Sequence, residues 1–143
     1  MAGGVRQVTE QRQVQTAPPE DFIRHFIAFW TARDAARLAH LLAEDADVLT
    51  LTGAWCEGRV AAEATLRAEL TGAFARSRLV TGRMRLQPLP GGAVVLHQRF
   101  VLSGMVDAAG QNAGQVAALL TAVLRPHGAV WQAVSLHFTG MKG

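Results

Sequence analysis

Tyrosine is missing from this chain, and cysteine and lysine occur once each, as Cys56 and Lys142. One thiol excludes an internal disulfide, and with no His or Cys at ligand spacing beside it a structural zinc site is not expected. No apolar run approaches the roughly 18 residues that a membrane-spanning helix needs, so no membrane partner is expected. The first twenty residues lack the apolar core of a signal peptide, which makes a cytoplasmic location the expectation. The scarcity of lysine leaves thirteen arginines among 14 basic residues, and the pI of 10.4 overstates a net charge of only +3. The arginines are spread along the chain. Their one local concentration, Arg76, Arg78, Arg83 and Arg85, has no interleaved aromatics, so nucleic acid is not expected as a partner.

What is present is a pattern that changes period once. Residues 1–17, rich in Gln, Gly and Thr, read as a flexible arm, and residues 18–143 as a single domain. Pro18 and Pro19 followed by Glu20 and Asp21 suit a helix start. Phe22, Phe26, Phe29 and Trp30 then recur at helical spacing to about Ala32. Asp34 can cap a second helix with a Leu38, Leu41, Leu42 stripe, which the acidic run Glu44, Asp45, Asp47 would stop. Val48 to Thr52 reads as a strand, and Val60 to Leu70 as a third helix.

From Arg78 the alternation has period two. LVTGRMRLQ and AVVLHQRFVLSG around PLPGG predict a hairpin, with MVDAAGQNAG as the loop to a second one, VAALLTAVLR and AVWQAVSLHFT around Pro126, His127 and Gly128. Pairing Gln87 with Ala93 would set Val80, Gly82, Met84 and Leu86 opposite Phe100, Gln98, Leu96 and Val94 on one face. Thr81, Arg83 and Arg85 would face Arg99, His97 and Val95 on the other. The class is α+β: helices first, then a long antiparallel sheet that must curl around them.

Chemistry-bearing groups are sparse. The eleven carboxylates lie on helices, loops and termini, and the strands from Arg78 to Gly104 and from Gln115 to Thr139 contain none. Asp47 is the one acid expected to approach a pocket, with the satisfaction of turn N–H groups as its simpler role. His97, Arg83, Arg85 and Arg99 form a polar constellation that reads as an anion site or, with more weight, as a solvated or dimer-facing surface. Cys56 beside Trp55 reads as a small packed side chain in preference to a reactive thiol. His25, His40 and His127 read as solvated. No dinucleotide fingerprint or metal-ligand cluster is present, so no cofactor and no metal are expected.

The stretch from Asp21 to Asp47, the GAWCEGR segment ending in Gly58 and Arg59, AVVLHQRF, LLTAVLR and VWQAVSLHFT, with Trp30 and Trp131 in this order, resemble the SnoaL-like branch of the nuclear transport factor 2-like superfamily. Within it the chain is most similar to the small proteins of enediyne and other natural-product clusters. The resemblance covers about Asp21 to Thr139. It implies a cone of ketosteroid-isomerase-like topology, a strongly bent, mainly antiparallel sheet wrapped around three helices of the amino-terminal half, usually a homodimer through the sheet. It also implies that Trp131, Ala133, Ser135 and His137 face the inside. Phe26 and Thr50 stand where ketosteroid isomerase keeps its tyrosine and its base, and Leu120 or Thr121 where it keeps its second acid, so steroid-type isomerisation is not expected. The expected function is binding of a small apolar or aromatic metabolite in an internal pocket, with cofactor-free acid/base catalysis of cyclase, isomerase or dehydratase type. The alternative is a non-catalytic ligand-binding or dimerisation module. His137 is the expected proton-transfer residue, and Phe26, Trp30, Thr50, Trp55, Leu96, Gln98, Phe100, Trp131 and Ser135 the expected pocket. Gln98 reads equally as a ligand contact or as a group satisfying a neighbouring strand.

Overall fold

Phe22, Ile23, Phe26 and Trp30 fall on one side of a helix, and all four are buried in helix α1, Asp21–Thr31. The computed structural model describes residues 17–142; except for Ala17, the expected arm lies outside them. Helix α2, Ala35–His40, starts where Asp34 accepts a hydrogen bond from the backbone N–H of Arg37, as a capping aspartate should. It is shorter than expected. Leu42 already begins strand β1, Leu42–Leu49, so the acidic run lies within a strand and does not end a helix.

The reason is a wide bulge. Strand β1 runs parallel to the last strand, with Leu42 opposite Ala133 and Asp47 opposite Ser135, so residues 43–46 loop out between two paired positions. Ala43 and Ala46 turn inward while Glu44 and Asp45 stay exposed. After a tight turn at Gly53, where φ is +92°, strand β2, Trp55–Glu57, pairs back on β1. Helix α3, Arg59–Thr71, follows and buries Ala62, Leu66 and Leu70.

Strands β3, Arg78–Pro88, β4, Val94–Val106, β5, Asn112–His127, and β6, Val130–Gly140, complete a six-stranded sheet of order β2-β1-β6-β5-β4-β3. All neighbours are antiparallel except β1 and β6. The first hairpin departs from the expected register: Leu86 faces Leu96 and Thr81 faces Phe100, with a bulge between Thr81 and Met84. A bulge reverses the alternation, so Val80 points to solvent at 57% exposure and does not join Phe100. A second bulge opposes Val123 to Ser135 and Leu124 to Ala133, leaving Val134 as the extra residue. It places Ala133 in the core while Ser135 and His137 face outward, which corrects the expectation that the four alternate residues of β6 share the inside.

The core lies between the inner sheet face and the helices. Phe26 stacks on Phe100 at 6.3 Å and meets Phe138 edge-on at 6.0 Å, and Trp30 packs on Phe74 at 5.4 Å. The Trp30 indole N–H donates to Ser77 Oγ at 2.8 Å, satisfying the one polar atom this ring carries inward.

Candidate functional site

Inside the cone the described side chains leave a narrow apolar slot. Phe26 and Trp30 from α1, Leu38 from α2, Val48 from β1, Leu66 from α3 and Phe138 from β6 wall it, and Thr50 and Glu69 are its polar members. Its free volume is about 20 Å³, space for about one water molecule.

Glu69 reaches the slot because of its helical phase. It follows Leu66 by three residues and Ala62 by seven, so it shares their inward face. Its Oε2 accepts hydrogen bonds from Thr50 Oγ1 and Thr52 Oγ1, both at 2.7 Å. Its Oε1 is buried and, among the described residues, has no hydrogen-bond partner. A buried carboxylate oxygen without a donor is uncommon in folded proteins, because desolvation of that oxygen is uncompensated. Chemically, the arrangement is a carboxylate fixed in orientation through one oxygen, with the other oxygen buried and without a donor among the described residues, on a residue that lines an apolar slot. It can accept a proton or a hydrogen bond from whatever occupies that space.

The outer face of the sheet carries a different constellation. Parallel pairing of β1 with β6 sets Asp47 beside Ser135 and Leu49 beside His137. Asp47 Oδ2 accepts from Ser135 Oγ at 2.7 Å and lies 2.9 Å from His137 Nε2. The Ser135 hydrogen bond chiefly holds the Asp47 carboxyl below its ordinary value; burial, the next-largest effect, opposes it, and the hydrogen bond and charge of His137 add to the lowering. Trp55 meets the His137 ring edge-on at 5.6 Å, and its indole N–H donates to Glu57 at 3.3 Å. Ser135 Oγ also lies 3.4 Å from His137 Nε2, the same nitrogen that meets Asp47, so the imidazole does not bridge the hydroxyl and the carboxylate and this is no nucleophile-base-acid chain.

The expected site residues therefore divide. Phe26, Trp30 and Thr50 line the slot. Leu96 and Phe100 are buried in the same core but do not wall it, and Gln98 uses its amide to donate to Gly82 O at 3.1 Å and Arg99 O at 2.9 Å, fastening the β3 bulge. Trp55, Ser135 and His137 lie on the outer face; Trp131, half-buried at the β5–β6 hairpin end, donates to Ala17 O at 2.6 Å. Cys56 is buried in the core. Glu69 was not among the expected residues. Its signal was present, a carboxylate in phase with the Ala62, Leu66, Leu70 stripe. The partnership of Asp47 with His137, 90 residues apart, left no local trace.

Among solved structures, this chain is similar to an uncharacterised protein with a cystatin-like fold from Caulobacter vibrioides, at 16% identity and a TM-score of 0.77 over 86% of this chain and 87% of that one. It is also similar to Aln2 of a Streptomyces species, at 17% identity and a TM-score of 0.70 over 88% of this chain and 94% of that one. A candidate scytalone dehydratase of Novosphingobium aromaticivorans aligns at 13% identity and a TM-score of 0.73 over 95% and 87% of the two chains. No family model and no curated protein sequence matches the chain. The chain has the cystatin-like fold, the cone that the SnoaL-like resemblance implied. Among the described residues no group of three or more His, Cys, Asp or Glu side chains could hold a metal ion, and no helix is long and apolar enough to cross a membrane.

Proposed function

We propose that this protein is a SnoaL-like member of the superfamily that takes a small, largely apolar molecule into the cone, where Glu69 acts as its one proton acceptor. The observation that carries this reading is that Glu69, which lines the apolar slot, has a buried Oε1 with no partner among the described residues beside an Oε2 anchored by two hydroxyls. A pinned carboxylate in an apolar space suits removal of a proton from a carbon acid or an enol, as a cyclase, isomerase or dehydratase requires, with no cofactor in the step. The likeness to a candidate scytalone dehydratase supports that reaction class. The slot of about 20 Å³ is smaller than an aromatic ring, so a ligand enters by displacing side chains at its rim. Leu51, half-buried in the turn between β1 and β2, is placed to move.

Phenol and toluene, which differ by one hydroxyl, provide the test. With Trp55 and Trp131 replaced by Phe, Trp30 becomes the sole fluorophore and reports on the slot. Phenol should quench it saturably and bind about tenfold more tightly than toluene. Glu69→Leu should remove that preference while keeping toluene binding. Equal responses to the two probes in the unchanged Glu69 background would refute Glu69 as the acceptor.

A second reading, assembly of two copies through the outer sheet face, is favoured by the charge pattern on that face. Arg83, Arg85 and Arg99 lie toward the β3 edge, and Asp47 and Glu57 toward the β2 edge. A two-fold axis near the middle of the sheet would set each set against the other. Sedimentation of wild type and Arg85→Glu distinguishes the cases: a dimer that the substitution dissociates supports assembly, and a monomer in both removes it.

A further inference from the structure

The outer face holds one more unexplained group of side chains. Arg85 on β3 stands directly opposite His97 on β4, and Arg99 lies two residues further along the same face of β4. Arg83 lies two residues before Arg85, inside the bulge that Thr81 and Met84 bound. These four side chains, with Leu119 of β5 beneath them, line an open depression of about 330 Å³.

None of the four makes a side-chain hydrogen bond or ion pair with another described residue. The other arginines near acids behave differently: Arg24, Arg37 and Arg67 are each paired with a carboxylate on their own helix or at its cap. The acids of this face, Asp47 and Glu57, lie toward the opposite edge of the sheet. Between Arg85 and Leu49 the row of paired residues crosses four strand intervals, roughly 19 Å at the usual strand spacing and more than a Debye length in physiological salt. Mutual repulsion among the guanidiniums is therefore uncompensated among the described residues.

Space beside Arg99 is kept open. A Cβ at Gly82, the bulge residue next to Arg83, would come within 3.3 Å of Arg99 Cβ, so glycine is what lets the Arg99 side chain lie close against β3. Gln98 fixes the same bulge from the inside through Gly82 O. The bulge is thus held in a form that brings Arg83 and Arg85 to one side of Arg99.

The geometry points to this depression as a binding site for a doubly charged oxyanion, a phosphoryl group being the class that suits it. Guanidinium forks match the geometry of tetrahedral oxyanions. Three of them around one depression suit a dianion better than a single carboxylate, and the imidazole of His97 adds a fourth donor. The half-buried side chain of Leu119, which lines the depression, offers an apolar contact to the organic part of a phosphate monoester. This site lies on the opposite side of the sheet from the slot and does not rest on the acid/base reading of Glu69.

The test is calorimetric titration of the whole chain with inorganic phosphate and with phenyl phosphate, at low and at physiological salt. Both probes should bind saturably, more weakly at higher salt, and Arg85→Gln or Arg83→Gln should each weaken binding about tenfold. Arg24→Gln, on an exposed arginine of α1, should leave it unchanged. Tighter binding of phenyl phosphate than of inorganic phosphate would mark a monoester site, and equal binding a site for the free anion; either supports the assignment. Absence of saturable binding, or equal binding by wild type and both variants, would overturn it. So would a protein in which Arg85→Gln changes only the association state, since a second copy would then be what these arginines meet.

Discussion

The two faces of one sheet have solved opposite problems. On the inner face nearly every position is apolar and buried, and the single carboxylate that reaches it, Glu69, is left with one oxygen unpaired. On the outer face Asp47 holds both Ser135 and His137 through Oδ2, while Arg83, Arg85 and Arg99 have no side-chain partner among the described residues. An unpaired acceptor in an apolar enclosure is expensive and so reads as a site for a proton or a donor. Unpaired guanidiniums in water are inexpensive singly and become informative only when three converge.

Stability measurements put that contrast to the test. The largest effect belongs to the inner aromatic cluster. Phe138→Ala removes a ring in contact with Phe26, Trp30 and Phe100 and should cost about 3–5 kcal/mol in urea unfolding. Next comes Thr50→Val, which takes from Glu69 Oε2 one of its two donors; a loss of about 1–2 kcal/mol is expected. A neutral result there would mean that Glu69 is not pinned.

On the outer face His137→Ala should cost less than about 1 kcal/mol, because the ring and the Asp47 carboxylate are each 39% exposed and screened by water. Its pH dependence is the sharper readout. The fold depresses the Asp47 value, so the unfolded chain binds the proton more readily. The stability from this group is complete above the ordinary carboxylate value and is lost as pH falls through the lower, folded one. Asp47→Asn should therefore flatten the acid limb of stability against pH by lowering the neutral plateau while leaving the most acidic region nearly unchanged. The smallest effect is expected from Arg85→Gln, within about 0.5 kcal/mol, despite its predicted effect on phosphate binding.

How much of this was legible in the residues follows the same division. The α1 stripe and the Asp34 cap are local signals, and both elements formed where they point. The cone could be read from the order of elements. The acidic run misled, because Glu44 and Asp45 resemble a helix stop when they belong to a strand bulge whose inward residues are only alanines. Two bulges, in β3 and in β6, each reversed an alternation that sequence alone carries straight through. His137 and Ser135 consequently lie outside, and a histidine with no evident orienter acquired Asp47 through a parallel pairing. Glu69 was hidden differently: on an otherwise polar helix, a carboxylate on the inward face looks like one more exposed charge.

The central claim is that the working group of this cone is Glu69, in contact with what enters the slot. Carbon-13 NMR of the side-chain carboxyls during a phenol titration tests it most directly, because Glu69 and Asp47 report on the two faces in one spectrum. The Glu69 resonance should shift and saturate with phenol while that of Asp47 stays in place. A still Glu69 resonance, with Asp47 or His137 moving in its stead, would contradict the claim and transfer the site to the outer face.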